Sequence, residues 1–503
     1  MAPISDARRD VCCACGSSRT LSRRGFLCTG VAAAAAVPAL VASTVASAQA
    51  QPSRAPGSDR PILIRNGCVL SLDPTVRDFE RADVLISGSK IAAVGPDLSA
   101  PDAEVIDAGR AIVMPGFIDT HRHMWEGILR NMLPDASLDD YLKIVQLQLG
   151  PHYRPEDVYA ANLVSALGAI EVGITTILDW SHIQNSPEHT DAAIEALAHS
   201  GIRAVFAYGI PSNGLPDFRD DPRQKYPDDI RRLRKQCFSS SDQLLTLALA
   251  SPSNPPDRVA EAWAVAREVG APITIHVGGG NAITGVVQKL GDKGVLKADT
   301  TYIHCCTLSD TEFKMIADSG GTFSLAGYVE MIMGDGTPPV QKVLDLGLRP
   351  SLSIDVETTA PGDLFTQMRT ILALQHNNLW IRGLAGDKNL PKLLTARDVI
   401  EFATVEGARA NHLDRKVGTL TPGKEADLIL LRTDRFSVMP MNSATGAIVA
   451  SMNASNVDTV LIAGKVMKRN NQMVGVDYHK MVNLVEASRD YIMRNANYER
   501  AKL

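Results

Sequence analysis

Residues 113–123 read VMPGFIDTHRH, an apolar run that ends in two histidines one residue apart. Alternate side chains of a β-strand point to the same face, so a strand here aims the imidazoles of His121 and His123 at one point. Imidazole nitrogen is a favoured ligand of zinc-like cations. A histidine pair on a polar strand face also arises by chance, so this segment indicates a metal site only if other ligands converge on it.

The composition is that of a globular protein with ample material for a core. The chain has 503 residues, of which 45% are hydrophobic and 21% charged. This length fits two or three domains, or one large barrel with an accessory domain. The net charge of −5 and the lack of a long basic run argue against a nucleic-acid partner.

Residues 1–48 have the pattern of an export signal. Arg23 and Arg24 precede an alanine-rich apolar run over 28–45, and residues 46–48 offer a small-residue cleavage site. An uncleaved membrane anchor is the alternative, but the run is weakly apolar for that role. We predict a cleaved twin-arginine signal peptide, a periplasmic or extracellular location, and no membrane association after cleavage.

Short β runs separated by turn residues flank the middle of the chain. Residues 60–116 and 416–470 share this pattern and predict one small β-sandwich domain built from both chain ends. Residues 117–415 are predicted to form a second domain, and residues 471–503 a C-terminal helical extension. Strands alternating with helical patterns are predicted at 111–118, 174–180, 202–209, 244–250, 272–278, 300–306, 321–326 and 348–356.

Eight such units in about 300 residues predict the α/β class, with a (β/α)8 TIM-like barrel. His276, His304 and Asp355 each follow an apolar run at the end of a predicted strand. A closed barrel brings such ends to one rim, whereas the alternative, a doubly wound sheet, does not. Singly, each histidine could be a core residue and the aspartate a helix cap.

Several longer motifs resemble the amidohydrolase superfamily, in its cytosine-deaminase-like and triazine-hydrolase-like branch. PGFIDTH at 115–121, GITTILD at 173–179 and GTLTPGKEADL at 418–428 are similar to its first strand, second strand and return to the sandwich. THRHMWE at 120–126 and DVETTAPGD at 355–363 are most similar to members that hydrolyse s-triazines, phenylureas and thiocarbamates.

The resemblance implies that His121, His123, His276 and Asp355 hold one divalent metal, with Zn²⁺ favoured and Fe²⁺, Co²⁺ or Mn²⁺ possible. It also implies that Asp355 accepts a proton from the activated water and that His304 polarises the substrate. The fourth predicted strand lacks the lysine that bridges two metals in binuclear members, so we expect a mononuclear site.

One departure from the family pattern bears on the reaction. Deaminases of this branch carry a glutamate three residues after the strand-5 histidine, where this chain has Gly279. Loss of such a proton carrier costs roughly 10²–10⁴-fold in rate. We therefore predict hydrolysis of an amide, urea or carbamate C–N bond. The alternatives are a deaminase or dechlorinase of an azaheterocycle, and a binding or scaffold barrel, which should have lost ligand positions.

Three further residues are predicted to contact the substrate. Trp125 is expected to form an apolar wall, and His182, just after the second strand, to contact the substrate, carry protons or support a loop. Glu357 is a candidate substitute acid for the missing glutamate. The expected substrate is a small molecule, and the resemblance implies a homo-oligomer.

Overall fold

The computed structural model describes residues 60–211, 226–280 and 285–499, and within these ranges the chain forms two sheets. A mixed sheet of nine strands comes from both chain ends, and a parallel sheet of eight strands lies between them in sequence. The predicted signal peptide at 1–48 lies outside the described residues. Within the described ranges, no helix has the length and apolarity needed to cross a bilayer.

The small domain is one curled sheet in which the two chain ends meet. Strands β5 and β14 join the ends antiparallel, with Val113 opposite Leu430. The sheet curls over a common apolar core, and the Ile91 amide donates to the Lys424 carbonyl at 2.9 Å. Its strands are β1 (Ile62–Val69), β2 (Phe79–Ser87), β3 (Lys90–Gly95), β4 (Glu104–Asp107), β5 (Ala111–Pro115), β14 (Leu428–Arg432), β15 (Val457–Ile462), β16 (Lys465–Arg469) and β17 (Gln472–Met473).

The barrel consists of eight parallel strands in consecutive order. It closes where the Asp355 amide donates to the His121 carbonyl and the His123 amide donates to the Asp355 carbonyl, both at 2.9 Å. The TIM-like barrel predicted from the sequence is therefore confirmed. Its strands are β6 (Phe117–Arg122), β7 (Ile174–Ser181), β8 (Arg203–Gly209), β9 (Leu245–Ser251), β10 (Ile273–Val277), β11 (Thr300–His304), β12 (Thr322–Leu325) and β13 (Ser351–Leu352).

The prediction of one strand over 111–118 is wrong, because this run belongs to two sheets. β5 pairs with β14 in the small domain, and β6 begins the barrel beside β7. Gly116 separates them at a point where a Cβ atom would lie 2.1 Å from Thr175 Oγ1. Only glycine fits this close crossing, so the chain passes from one domain to the other in a single residue.

Helices cover the outside of the barrel, and the C-terminal helix lies against the first long one. The guanidinium of Arg154 stacks 3.4 Å from the ring centre of Tyr491. The α-helices are α1 (Leu138–Tyr141), α2 (Pro155–Glu171), α3 (Pro187–Ser200), α4 (Ile230–Gln236), α5 (Pro256–Glu268), α6 (Val286–Asp292), α7 (Asp310–Ser319), α8 (Gly327–Ile332), α9 (Val340–Asp345), α10 (Leu364–Leu384), α11 (Ala396–Phe402), α12 (Val405–Ala410), α13 (Ala444–Gly446) and α14 (Tyr478–Asn495).

A buried ion pair fastens the barrel to the small sheet. Arg203, at the start of β8, donates two hydrogen bonds to Asp427, with Nε–Oδ2 at 2.7 Å and Nη2–Oδ1 at 3.0 Å. Asp427 Oδ1 also accepts from the Ala463 amide at 2.7 Å, and Glu425 lies 3.6 Å from the guanidinium. Both oxygens of Asp427 thus have partners, as a buried carboxylate requires.

Candidate metal centre

Ligand-capable side chains from four barrel strands meet at the carboxyl-terminal rim. One donor atom each of His121, His276, His304 and Asp355 lies within 4.8 Å of the others. His121 Nε2 is 2.9 Å from Asp355 Oδ1 and 3.1 Å from His276 Nε2. The first histidine is the penultimate residue of β6, the next two lie on β10 and β11, and the aspartate follows β13. Active sites of such barrels form at this rim.

His123 completes the set of five residues predicted from the sequence. Its Nε2 atom lies 3.3 Å from Asp355 Oδ1, and its Nδ1 is 3.0 Å from the Trp180 carbonyl. The carbonyl fixes the ring so that Nε2 faces the cluster. The structure thus brings all five predicted residues together, and the division into metal ligands and His304 as a catalytic group stays a prediction.

The protonation of His121, His276 and Asp355 fits a divalent cation. Burial lowers the pKa of His121 to about 3, against the opposing hydrogen bond with Asp355. Burial also holds the pKa of His276 well below its usual value. Although burial opposes it, hydrogen bonds with His121 and His123 hold the pKa of the Asp355 carboxyl well below its ordinary range. Neutral imidazoles and an ionised carboxylate are the donors that zinc-type ions prefer.

His304 is held by a carboxylate from the next connection. Its Nδ1 atom lies 3.3 Å from Glu330 Oε1, which also accepts from the Ala326 amide at 2.7 Å. Burial opposes the charged imidazole, but Glu330, Asp355 and Asp335 raise the pKa of His304 to about 9. This arrangement leaves Nε2 of the ring free to face the cluster, and makes the ring a proton donor suited to a substrate oxygen.

Two site residues have a left-handed backbone. His304 has φ of +67° and Asp355 has φ of +69°, a region that only a few per cent of residues other than glycine adopt. Each such residue costs of the order of 1–3 kcal/mol and is typical of functional sites. The turn at Asp355 also explains why β13 is shorter than the predicted 348–356. The backbone leaves the ladder there to aim the carboxylate at the histidines.

Asp119 holds the first and last barrel strands in register beneath the site. Its Oδ1 accepts from the amides of His121 at 3.3 Å and Ile354 at 3.1 Å. Its Oδ2 accepts from Arg122 Nε at 2.8 Å. Because the same carboxylate holds both strands, it positions His121 relative to Asp355.

Trp125 and His182 lie behind the metal ligands. Trp125 Nε1 donates to His182 Nδ1 at 2.8 Å, and the His182 ring stacks on His123 with centroids 4.1 Å apart. His182 Nε2 lies 2.9 Å from Gln146 Nε2. Trp125 is only 1% exposed. The structure gives both residues a role in orienting His123, and their contact with a substrate stays a prediction.

Glu357 does not fit the role of a substitute acid. Its Oε1 lies 2.9 Å from Arg130 Nε and 3.2 Å from Arg122 Nη1, and Ser165 donates to Oε2 at 2.6 Å. Although burial opposes it, the two arginines hold the pKa of Glu357 below its usual value. We therefore correct the predicted role: Glu357 is an ionised anchor between the barrel rim and α2, with its oxygens occupied.

Sequence reasoning missed three residues around the cluster. The ring of Trp180 lies 3.9 Å from that of His276, and its position two residues after an inward-facing leucine on a predicted strand could have revealed it. Glu330 and Asp335 come from the connection between β12 and β13. They carry no periodic signal, because a short helix and a turn place them.

Comparison with known proteins agrees with this architecture. Two of the solved structures that share the fold contain zinc. One is an adenosine deaminase from Xanthomonas campestris with bound zinc, with a TM-score of 0.75 at 20% identity, covering 86% of this chain and 98% of that one. The other is a variant of atrazine chlorohydrolase from Arthrobacter aurescens with zinc and atraton, with a TM-score of 0.75 at 24% identity, covering 85% and 100%.

Curated relatives align over most of their length. The 5'-deoxyadenosine deaminase of Methanobrevibacter smithii is 27% identical over 441 residues, which span 84% of this chain and 95% of that protein. The 5-methylthioadenosine/S-adenosylhomocysteine deaminase of Pyrococcus abyssi is 25% identical over 438 residues, which span 84% and 97%.

A family model covers more than half of the chain. Residues 112–467 match the Amidohydrolase family, a span that includes the whole barrel and the return into the small sheet. The resemblance noted in the sequence is thus confirmed, and with it the prediction of a hydrolytic enzyme acting on C–N bonds. The ligand cluster at the rim lies inside the matched span. This chain belongs to the amidohydrolase family.

Proposed function

We propose that this protein is a zinc-dependent hydrolase that cleaves an amide, urea or carbamate C–N bond in a small molecule. The observation that carries the proposal is the convergence of His121, His276, His304 and Asp355 within 4.8 Å at the barrel rim. The neutral imidazoles of His121 and His276 and the ionised Asp355 carboxylate suit zinc, and both structural neighbours described above contain it.

The residues of the cluster divide the chemistry between them. A bound divalent metal would supply Lewis-acid activation that lowers the pKa of a water towards about 7. Asp355 accepts the proton that this water loses, since its ionised carboxylate lies among the ligands. His304 donates a hydrogen bond to the carbonyl oxygen as negative charge develops there. The C–O bond then forms, and the C–N bond breaks with its electron pair staying on nitrogen, which takes up a proton as the amine leaves.

A deaminase of an azaheterocycle is the second candidate function. It is favoured by the curated relatives, several of which are named as deaminases. Gly279 speaks against it, because the resemblance places the proton-carrying glutamate of the deaminases at this position. Both functions use the same metal cluster, so they differ in which group leaves.

The experiment that separates them follows the leaving group. Zinc-loaded protein is incubated with a panel of amides, ureas, carbamates, aminopurines and chlorotriazines, and the products are identified by mass spectrometry. The proposal predicts release of an organic amine with one zinc per chain. Release of ammonia or chloride alone would transfer support to the second candidate, and no turnover with full zinc occupancy would refute both.

Location and assembly belong to the same proposal. We infer export by the twin-arginine route from Arg23 and Arg24 before the apolar run, and a homo-oligomeric state from the family resemblance. Replacing both arginines with lysine should retain the protein in the cytoplasm, as measured by fractionation. Light scattering of the purified protein tests the assembly, and a monomeric mass would contradict it.

A further inference from the structure

A carboxylate that sequence reasoning did not identify lies beside the metal cluster. Asp335 belongs to the turn between α8 and α9, where the flanking glycines Gly334 and Gly336 have φ of +87° and +138°. A Cβ on Gly336 would lie 2.8 Å from Cys306 Cβ, so the turn fits tightly against the end of β11. The Gly280 amide donates to the Asp335 carbonyl at 2.9 Å and fixes the turn to the end of β10.

The Asp335 carboxylate occupies the space that a side chain at 279 would fill. A Cβ atom on Gly279 would lie 2.9 Å from Asp335 Oδ1 and 3.7 Å from His304 Cδ2. Glycine at this position therefore leaves room for the carboxylate next to His304. The glycine at 279 and the Asp335 carboxylate therefore belong to one arrangement, in which the carboxylate from the loop takes the space of the missing side chain.

Asp335 differs from the structural carboxylates of this protein, because among the described residues its side chain has no hydrogen-bond partner. It is 4% exposed, yet no described residue donates a hydrogen bond to its side chain. The buried carboxylates of Asp119, Asp157 and Asp427 each pair with an arginine. An unpaired buried carboxylate is costly and indicates a group kept for a ligand.

We propose that Asp335 is a catalytic acid that protonates the leaving nitrogen, in the place of the carboxyl that Gly279 lacks. The inference rests on the proposed function, since it requires a substrate from which an amine leaves. As the C–N bond breaks, the Asp335 carboxyl gives its proton to the nitrogen that keeps the electron pair. Asp355 then releases to solvent the proton that it took from the water, and solvent returns one proton to Asp335, so the cycle balances.

Burial supports this role, because it raises the pKa of Asp335 and favours the protonated acid, against the charge of His304. General acid catalysis of this kind contributes about 10²–10⁴-fold. An ester with a phenolate leaving group does not need the proton. The role therefore predicts a loss confined to substrates with a nitrogen leaving group.

The test compares Asp335→Asn with Asp345→Asn, a matched change on the exposed end of the same connection. The probes are the amine-releasing substrate found in the panel above and para-nitrophenyl acetate. With Asp335→Asn we expect kcat for amine release to fall at least about 100-fold, ester hydrolysis to change less than about threefold, and zinc content to stay at one. Asp345→Asn should match the parent in all three.

A swap of carboxylates sharpens the test. Gly279→Glu in an Asp335→Gly background returns an acid to the same space and should recover amine release at least about tenfold over Asp335→Gly alone. Equal loss of ester and amine activity, or loss of zinc in Asp335→Asn, would overturn the proposal in favour of a structural role. Unchanged amine release would overturn it outright.

The melting temperature of Asp335→Asn distinguishes failure of the Asp335 proposal from failure of the proposed function. A functional acid without partners should be dispensable for folding, so Asp335→Asn should keep or raise the melting temperature. If the parent releases no amine from any substrate, the proposed function fails. In that case a lowered melting temperature of Asp335→Asn overturns the inference as well, whereas an unchanged or raised one still supports a site built for a ligand.

Discussion

Two buried charged clusters lie at different places in the barrel, and they differ in how their polar atoms are satisfied. Arg203 and Asp427 meet at the junction with the small sheet, where both carboxylate oxygens have hydrogen bonds. At the rim, the Nδ1 atom of His121 is buried without a partner, and Asp335 has none among the described residues. Satisfied groups hold the fold together, whereas unsatisfied groups are available to a ligand.

The largest expected effect comes from removing a ligand at the rim. His276→Ala should abolish zinc binding and lower kcat by about 10³-fold or more, because several kcal/mol of transition-state stabilisation are lost. Zinc is measured by plasma mass spectrometry and turnover with the substrate from the panel. Substitution of the helix residue His376, which bonds the Leu394 carbonyl, is the control. Retained activity in His276→Ala would contradict the ligand assignment.

A substitution at the junction should lower stability and leave zinc binding and activity unchanged. Arg203→Met leaves the charges of Asp427 and Glu425 buried without compensation and should lower the free energy of unfolding by about 3–5 kcal/mol. Zinc content and kcat per folded molecule should stay unchanged. Urea unfolding measures the first quantity. Lys314→Met, which breaks the exposed pair with Asp318, should cost less than about 1 kcal/mol. Loss of zinc in Arg203→Met would remove the distinction between the two clusters.

A smaller effect is expected from the residue that orients His304. Glu330→Gln keeps the shape of the side chain but removes its charge, and should lower kcat about 10–100-fold while zinc is retained. Glu312→Gln, a similar change in the capping box of α7, is the control. A Glu330→Gln enzyme with parental kcat would show that the charge behind His304 is structural.

The smallest effect should come from a helix cap far from the rim chemistry. The Ser309 hydroxyl accepts from the Glu312 amide at 3.3 Å at the start of α7. Ser309→Ala should lower the free energy of unfolding by about 1 kcal/mol, by thermal or urea unfolding. Zinc affinity should match that of the parent. A change in zinc affinity would mean that the stability of the fold and the geometry of the metal site are coupled, which contradicts the separation of the two clusters.

The sequence predicts those parts of the site that stand at strand ends. His121, His276, His304 and Asp355 follow apolar runs, and barrel geometry alone brings such positions to one rim. The boundary inside 111–118 could not be predicted, because an apolar run has the same pattern in either sheet. Only the pairing of β5 with β14 and of β6 with β7 reveals it.

The roles of residues in irregular segments could not be predicted from the sequence either, because they depend on distant partners. The glycines around Asp335 predict a turn, but no local pattern states which distant strand the turn will contact. The ionisation of Glu357 depends on Arg130, whose guanidinium arrives from a segment more than 200 positions earlier. The roles of these two carboxylates depend on residues far away in the sequence. Hydrophobic periodicity indicates only which side chains are buried.

The junction between β5 and β6 has a consequence for the order of events during synthesis. β5 pairs along one edge with β1, but its other edge is covered only when it pairs with β14, which comes from the far end of the chain. A single glycine links β5 to the strand that carries His121, and that strand closes the barrel against Asp355, so the ribosome must have made most of the chain before that histidine is held in place. Zinc acquisition is therefore a late step. If the protein leaves the cell interior already folded, as the proposed twin-arginine route requires, its metal comes from the cytoplasmic pool.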